Sequence, residues 1–284
     1  MLVAPAPAVE RAIGMAELNG LYFDAIAGEY DDWLYGVHRR VAACAADLAA
    51  PMPGDLVLDV GCGTGLLSTM VAHEVGPRGR VVAVDSSDGM LQIARRHPLP
   101  NLSWFQAVVE GPLWFQDGSF DLIGFCDSLT YIEDPRTVLG EAHRMLRDRG
   151  RVVLAVPCRS LLTQAQEQSR QVLDRTLQAL PVTLPRPHAH LSLLGEPELL
   201  QQLLAQVGFR RTVFRTFVTG VRATSSEEWL ELERMSGPRA HALLSTVGRP
   251  LLRRLAGQMD WAMRRLGEDA FRHHQAFTLM VAWR

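Results

Sequence analysis

The sequence predicts an α/β protein built on a mostly parallel sheet, and three observations carry that prediction. Apolar runs of strand length, Leu56 to Val60, Arg80 to Asp85, Phe120 to Phe125 and Arg151 to Val156, alternate with segments of helical length and period. The first run ends in Gly61-Cys62-Gly63-Thr64-Gly65 before an apolar helical segment, Leu66 to Val75. Glycine is needed where the backbone takes positive φ or where a ligand comes closer to the main chain than a Cβ allows. The second run ends in Asp85, about twenty residues beyond the last glycine, where a strand-end carboxylate can accept both hydrogen bonds of a ribose diol. Either signal alone is weak; together they define a nucleoside site.

Composition bounds the alternatives. The chain has 284 residues, 48% hydrophobic and 21% charged, enough for one α/β domain with additions and a sizeable core. A formal net charge of −2 gives no global attraction for a phosphate backbone, so no nucleic-acid partner is expected. All 29 basic residues are arginine, which reads as compositional drift rather than phosphate recognition. Met1 to Glu10 has no basic leader, and no apolar run approaches the ~18 residues that span a bilayer. A cytoplasmic protein without a membrane partner is expected. Cys44, Cys62, Cys126 and Cys158 lack metal-ligand spacing, so neither a metal nor a disulfide is expected.

The segments Asp59 to Gly65, Asp85, Asp117-Gly118-Ser119-Phe120-Asp121 and Glu141 to Pro157 resemble, in order, the motifs of the class I S-adenosylmethionine-dependent methyltransferases. The likeness is strongest to the small-molecule group that includes the quinone-biosynthesis C-methyltransferases. It covers roughly residues 20 to 218 and the last strand. The resemblance implies a Rossmann-like seven-stranded sheet of order 3-2-1-4-5-7-6 with its last strand antiparallel. It also implies S-adenosylmethionine as cofactor, S-adenosylhomocysteine as product and a small-molecule acceptor.

Each element then has a reason. The Ala/Pro-rich N-terminus leads to Leu21 to Trp33, dense in aromatics and acids, which resembles the segment lying over the cofactor. By that resemblance Tyr22 and Tyr30 approach the methionine end, where phenol faces stabilise a sulfonium. Tyr22, Phe23 and Ile26 also fit one apolar helix face, and both readings stand. Leu34, Val37, Val41, Cys44 and Leu48 repeat at helical spacing, and Pro51 to Gly54 stops that helix. The resemblance puts Asp59, Gly61, Cys62, Gly63, Gly65, Asp85, Ser86 and Cys126 around the cofactor. Ser86-Ser87-Asp88 caps a helix reaching Arg96, with Met90 against the adenine edge. The third strand, Leu102 to Val108, departs from the family: Gln106-Ala107-Val108-Val109-Glu110 has valine where an acid is usual, with the glutamate in place. A backbone contact at Val109 or a bond from Glu110 would then recognise adenine.

The fourth strand ends in Cys126-Asp127-Ser128-Leu129-Thr130-Tyr131, without the Asn/Asp-Pro-Pro-aromatic tetrad of amino-methylating DNA enzymes. Pro157-Cys158 follows strand five, but the companion motifs of a cysteine nucleophile are missing. Cys62, Cys126 and Cys158 all follow strands, an arrangement that suits thiol–metalloid chemistry less well than tight loop packing. A helix from Pro135 to Arg147 is stopped by Asp148-Arg149-Gly150.

The chain then departs from the minimal fold. Residues 158–194 form an insertion placed to build a substrate lid, with a helix from Leu161 to Leu180 and a proline-rich loop carrying His188 and His190. Glu196 to Val207 is an amphipathic helix and Phe209 to Val218 strand six. Residues 219–275 are a second, helical insertion beginning at a capped Ser225-Ser226-Glu227-Glu228. Its apolar stripe, from Trp229 to Met263, fits a core, an apolar substrate cover or a homodimer surface. Ala276 to Trp283 completes the sheet, so residues 1–50 (cap and helix), 51–157 (cofactor core), 195–218 and 276–284 make one intertwined domain.

Methyl transfer needs an acceptor held in line with the donor and sheltered from water. A base matters only for a protonated acceptor; the candidates are His188, His190, Asp127, Tyr131 and His273. The expected activity is transfer to an O or C atom of a small apolar metabolite. Two other readings stay open: a protein that binds the cofactor without transferring its methyl, and a macromolecule methyltransferase.

Overall fold

The computed structural model describes residues 14–111, 113–180, 184–186 and 194–284. Seven strands form one sheet: β1 Leu56–Val60, β2 Arg80–Asp85, β3 Leu102–Gln106, β4 Phe120–Cys126, β5 Leu146–Pro157, β6 Arg211–Arg222 and β7 Arg272–Trp283. Their order is β3-β2-β1-β4-β5-β7-β6, as expected. Strands β1 to β5 pair in parallel, and β7 runs antiparallel to both β5 and β6. The order reverses beside β1, which opens a crevice at the C-terminal ends of β1 and β4 where ligands of open α/β sheets bind.

Helices cover both faces because the central strands are apolar on both sides. One face carries α2 (Trp33–Ala49) and α3 (Leu66–Val75), with Val37, Val41 and Leu67 packed on Val57 and Leu122. The other carries α5 (Pro135–Met145) and α7 (Pro197–Gln206), with Val138, Leu139 and Leu200 packed on Ile123 and Leu154. Helix α4 (Asp88–Ala94) begins at Ser87, whose Oγ accepts from Met90 N at 3.1 Å. Helix α1 (Met15–Ile26) lies above the strand ends, and Tyr22, Ile26 and Met90 pack together beneath it.

Several boundaries differ from the sequence reading. Helix α5 stops at Met145, not Arg147, because Leu146 already pairs with Phe120; the ladder resumes at Arg151, and residues 147–150 bulge out. Strand β3 ends at Gln106, leaving 107–111 as loop. Strands β6 and β7 pair from Arg211↔Trp283 to Arg222↔Arg272, so residues 219–222 and 272–275 are strand rather than insertion. This ribbon carries α8 (Ser226–Arg234), α9 (Pro238–Thr246) and α10 (Arg249–Met263) at its tip.

With α6 (Gln164–Ala179), these helices bury Trp229, Leu243, Leu255 and Met259 in a separate core, where Trp229 Nε1 donates to Ser169 Oγ at 2.9 Å. The apolar stripe is therefore mainly core, except Trp261, which is 62% exposed under the Arg265 guanidinium. No helix among the described residues is long and apolar enough to cross a membrane.

Candidate cofactor and acceptor site

The site grows from the turn after β1. Gly61 N and Cys62 N both donate to Val84 O, at 2.8 and 3.0 Å, which fixes the turn to the end of β2. Asp85 then braces it: one oxygen accepts from Gly63 N at 2.7 Å and the other from Ser87 N at 2.8 Å. Burial lifts its carboxyl above the usual range against the pull of these amides.

The three glycines are required for different reasons. All have positive φ, 69°, 55° and 88°. A Cβ at Gly61 would lie 2.3 Å from Ser128 Cβ, and one at Gly65 would lie 2.4 Å from Trp104 Cη2, whereas one at Gly63 meets nothing within 4 Å. Gly61 and Gly65 thus admit neighbouring side chains. Gly63 is the position where the backbone is bare toward open space.

A cavity of about 140 Å³ opens over this turn. Its floor is Gly61, Gly63 and Asp85, and one wall is Ser86, Met90 and the loop of Val109 and Glu110. The other wall is Cys126, Asp127, Ser128 and Tyr131, while Asn19, Phe23 and Tyr30 form the ceiling. A second cavity of about 30 Å³ adjoins the N-terminus of α3 and shares Tyr30, Gly61, Gly63, Cys126 and Asp127 with the first. His38, Cys62 and Thr64 line only the smaller one.

The ceiling is fastened by its own carboxylates, which reach the start of α4 and the turn after β1. Asp24 accepts from Ser87 Oγ at 2.5 Å and Gly89 N at 2.9 Å; Asp31 accepts from Thr64 Oγ1 at 2.6 Å. Asp24 thereby sits at the N-terminus of α4, where a negative charge is favoured by the helix dipole.

The cavity gathers Tyr30, Gly61, Gly63, Asp85, Ser86, Met90, Val109, Glu110, Cys126, Asp127 and Tyr131 of the expected residues. Others lie elsewhere. Tyr22 turns away from the cavity, its hydroxyl donating to Met235 O at 2.6 Å, so the sequence reading of it as a cofactor contact is corrected to a strut between α1 and the helical insertion. Asp59 sits beneath the turn, accepting from Ser68 Oγ at 2.5 Å; burial pushes its carboxyl up to about 7. Gly65 meets Trp104, and Cys62 reaches only the smaller cavity.

His273 is fully buried between Trp33 and Trp229, with both ring nitrogens unpartnered. Burial lowers its pKa to about 4, and it lines neither cavity. Cys158 lies against Ser160 and Glu196 rather than with Cys62 and Cys126. His188 and His190 fall outside the described residues. Among the described residues, neither insertion lines the cavity; α1 and the segment after it do.

Asn19, Phe23, Ser128 and His38 were not anticipated. His38 follows Val37 on the buried face of α2, and only its neighbours at Val37 and Val41 betray it in sequence.

The site suits a nucleoside with a charged tail. It has a strand-end carboxylate, a bare backbone turn at Gly63 and an apolar loop after β3. Residues 57–150 match the family model described as a methyltransferase domain. The chain is 29% identical over 228 residues to the ubiquinone/menaquinone biosynthesis C-methyltransferase UbiE of Shewanella frigidimarina, covering 73% of this chain and 89% of that one. It is 36% identical over 142 residues to the 2-phytyl-1,4-naphtoquinone methyltransferase of a Nostoc species, covering 46% and 61%. In structure it is similar to phosphoethanolamine N-methyltransferase 2 of Haemonchus contortus, solved with phosphomonomethylethanolamine and S-adenosylhomocysteine. The TM-score is 0.57 at 16% identity, covering 96% of this chain and 61% of that one, a likeness of fold.

Proposed function

The chain is a class I S-adenosylmethionine-dependent methyltransferase, and from that premise we propose that it methylates an O or C atom of a small, largely apolar metabolite. The observation that carries this reading is the cavity itself. It continues from the Asp85–Gly63 bond past Cys126 to a wall of Phe23, Tyr131 and Ile132 with Val108 on the far side. The relatives to which the chain is similar are, by name, a C-methyltransferase of ubiquinone and menaquinone biosynthesis and a 2-phytyl-1,4-naphtoquinone methyltransferase, which supports this reading.

S-adenosylmethionine, when bound, supplies an electrophilic methyl group on a sulfonium. Asp85, Gly61 and Gly63 would hold its ribose and amino-acid end, and Met90, Ser86, Val109 and Glu110 its base. Both Asp85 oxygens already accept backbone N–H bonds, which fixes the carboxylate plane and leaves further lone pairs for the diol. The aromatic rings of Phe23, Tyr30 and Tyr131 exclude water and present electron-rich faces. Positioning of this kind supplies the larger part of the rate for an already activated group. The single intertwined domain, with residues 158–194 and 223–271 as additions, and a cytoplasmic location belong to the same proposal.

The test incubates the purified protein with methyl-labelled S-adenosylmethionine and an extract of the source organism, then separates organic-soluble material from the macromolecular precipitate. Label in the organic fraction is expected, together with loss of S-adenosylhomocysteine binding in Asp85→Ala. Label in the precipitate would overturn the small-molecule reading. Binding of the cofactor with no label anywhere would favour a protein that holds it without transfer.

A further inference from the structure

We propose that Asp127 and His38 form a proton-accepting pair, and that the acceptor therefore carries a weakly acidic phenolic or enolic O–H. The inference rests on the methyltransferase reading above and narrows its substrate class.

The geometry is unusual for a structural ion pair. Asp127 stands in the wall between the two cavities and lines both, whereas His38 lines only the smaller. Their side chains are 10% and 9% exposed, with His38 Nδ1 3.4 Å from Asp127 Oδ2. Neither His38 Nδ1 nor Asp127 Oδ1 has a hydrogen-bond partner. Burying polar atoms without partners is costly, and a pair retained only for stability would have closed that contact. The imidazole is held in place by Tyr30, stacked at 3.9 Å and 11°, and by Trp33 at 5.4 Å and 23°. Asp127 is held in a left-handed conformation, φ 57°, with its amide bonded to Ala155 O at 2.8 Å. Backbone strain of this kind concentrates where a side chain must be aimed.

The other titratable groups around the pair are not proton acceptors. Burial pushes the phenols of Tyr30 and Tyr131 and the thiol of Cys126 upward, and the Asp127 charge adds to each, so all three stay protonated. Cys62, in the smaller cavity, is pushed up in the same way. Asp85 is braced by backbone amides at the ribose end of the site, with its remaining lone pairs assigned to the diol, and Glu110 is exposed. Among the described residues that line the larger cavity, the Asp127 carboxylate is the interior base left over.

The balance is simple. The acceptor O–H bond breaks, its electron pair stays on oxygen, and the proton goes to the Asp127 carboxylate. That pair, or the ring carbon conjugated to it, forms the new bond to the methyl carbon, while the old methyl–sulfur pair leaves with the thioether. One proton must leave for each methyl that arrives, and the smaller cavity with His38 gives it a way out. Asp127 is the catalytic residue; His38 is a positioning and relay residue.

The test compares wild type, Asp127→Asn and His38→Gln on the organic fraction that the wild type labels, from pH 6 to 10, with S-adenosylhomocysteine affinity measured by calorimetry. Asparagine accepts the left-handed conformation, so the first variant keeps the fold. At pH 7 a loss of roughly 100-fold or more is expected for Asp127→Asn and about tenfold for His38→Gln, the scale of general-base catalysis. Both deficits should shrink as rising pH ionises the acceptor unaided, and S-adenosylhomocysteine affinity should stay within about twofold. A deficit that does not change with pH, or an affinity that falls in step with rate, would overturn the proposal and make the pair a holder of the cofactor's amino-acid end. A wild type that labels no organic material defeats the functional reading and this one with it; only the variants' profiles separate the two.

Discussion

Alanine at Gly63 and at Gly65, one at a time, separates close ligand approach from packing within a single turn. Each substitution forces an L residue into the left-handed region, at φ 55° and 88°, which costs about 1–2 kcal/mol. At Gly63 that is the whole folding penalty, since a Cβ meets nothing within 4 Å. At Gly65 the Cβ would lie 2.4 Å from Trp104 Cη2, 3.0 Å from Cζ3 and 3.4 Å from Ala94 Cβ. Overpacking of that kind adds about 1–3 kcal/mol, for a total of roughly 2–5 kcal/mol. Urea unfolding and S-adenosylhomocysteine calorimetry therefore give opposite rankings. Gly65→Ala should lose more stability, whereas Gly63→Ala should lose more affinity, tenfold or beyond, equivalent to about 1.4 kcal/mol. Trimming the indole by Trp104→Ala should relieve the Gly65→Ala penalty, a coupling that a double-mutant cycle reads directly. Equal losses in both assays, or a Gly65→Ala deficit untouched by Trp104→Ala, would refute the division of labour.

Three further outcomes are expected. Arg151→Leu strips the guanidinium that joins Asp55 Oδ2, at 2.9 Å, to Ala49 O and Ala50 O at the end of α2, and leaves a buried carboxylate unpaired; chemical denaturation should show a loss of about 3–5 kcal/mol. His273→Phe should stabilise the protein, because two buried nitrogens without partners are replaced by carbon. Since the folded pKa of about 4 lies below the unfolded value, wild-type stability is lost as pH falls from about 6.5 toward 4, so the variant's advantage should grow over that window in pH-resolved thermal unfolding. Asp59 runs in the other sense: its folded pKa of about 7 lies above the unfolded value, so its contribution is present below about pH 4 and is lost as pH rises through 7. Asp59→Asn should remove that decline, and an unchanged slope of stability against pH would show that the carboxyl is not held protonated.

The central strands were legible because hydrophobic period and glycine spacing are local properties, whereas their order in the sheet was what the family resemblance implied. The run Leu56 to Val60, closed by its glycines, reads as a buried strand, and an acid at Asp85 after a second such run places the crevice. The caps at Ser87 and Ser225 were legible for the same reason, since a side-chain oxygen and an amide three residues on are one turn apart. Where the reading slipped, pairing overrode local preference. Leu146 joined β5 because Phe120 lay beside it, and residues 219–222 and 272–275 became strand because each completed the other's ladder.

The candidate site divides along the same line. The sequence by itself determined the turn, its acid and the class of ligand they suit, because those residues are joined by a few bonds and a fixed strand geometry. Set against the family's pattern, it also showed valine ahead of Glu110 where a further acid is usual. Only the tertiary structure decided that Tyr22 serves as a strut, that among the described residues the ceiling comes from α1 and the segment after it, and that Gly65 answers to Trp104. It alone brought His38 beside Asp127, through α2 packing across the ends of β1 and β4. Neither residue carries a local signal for the other, since their meeting depends on how a whole helix lies on a whole sheet.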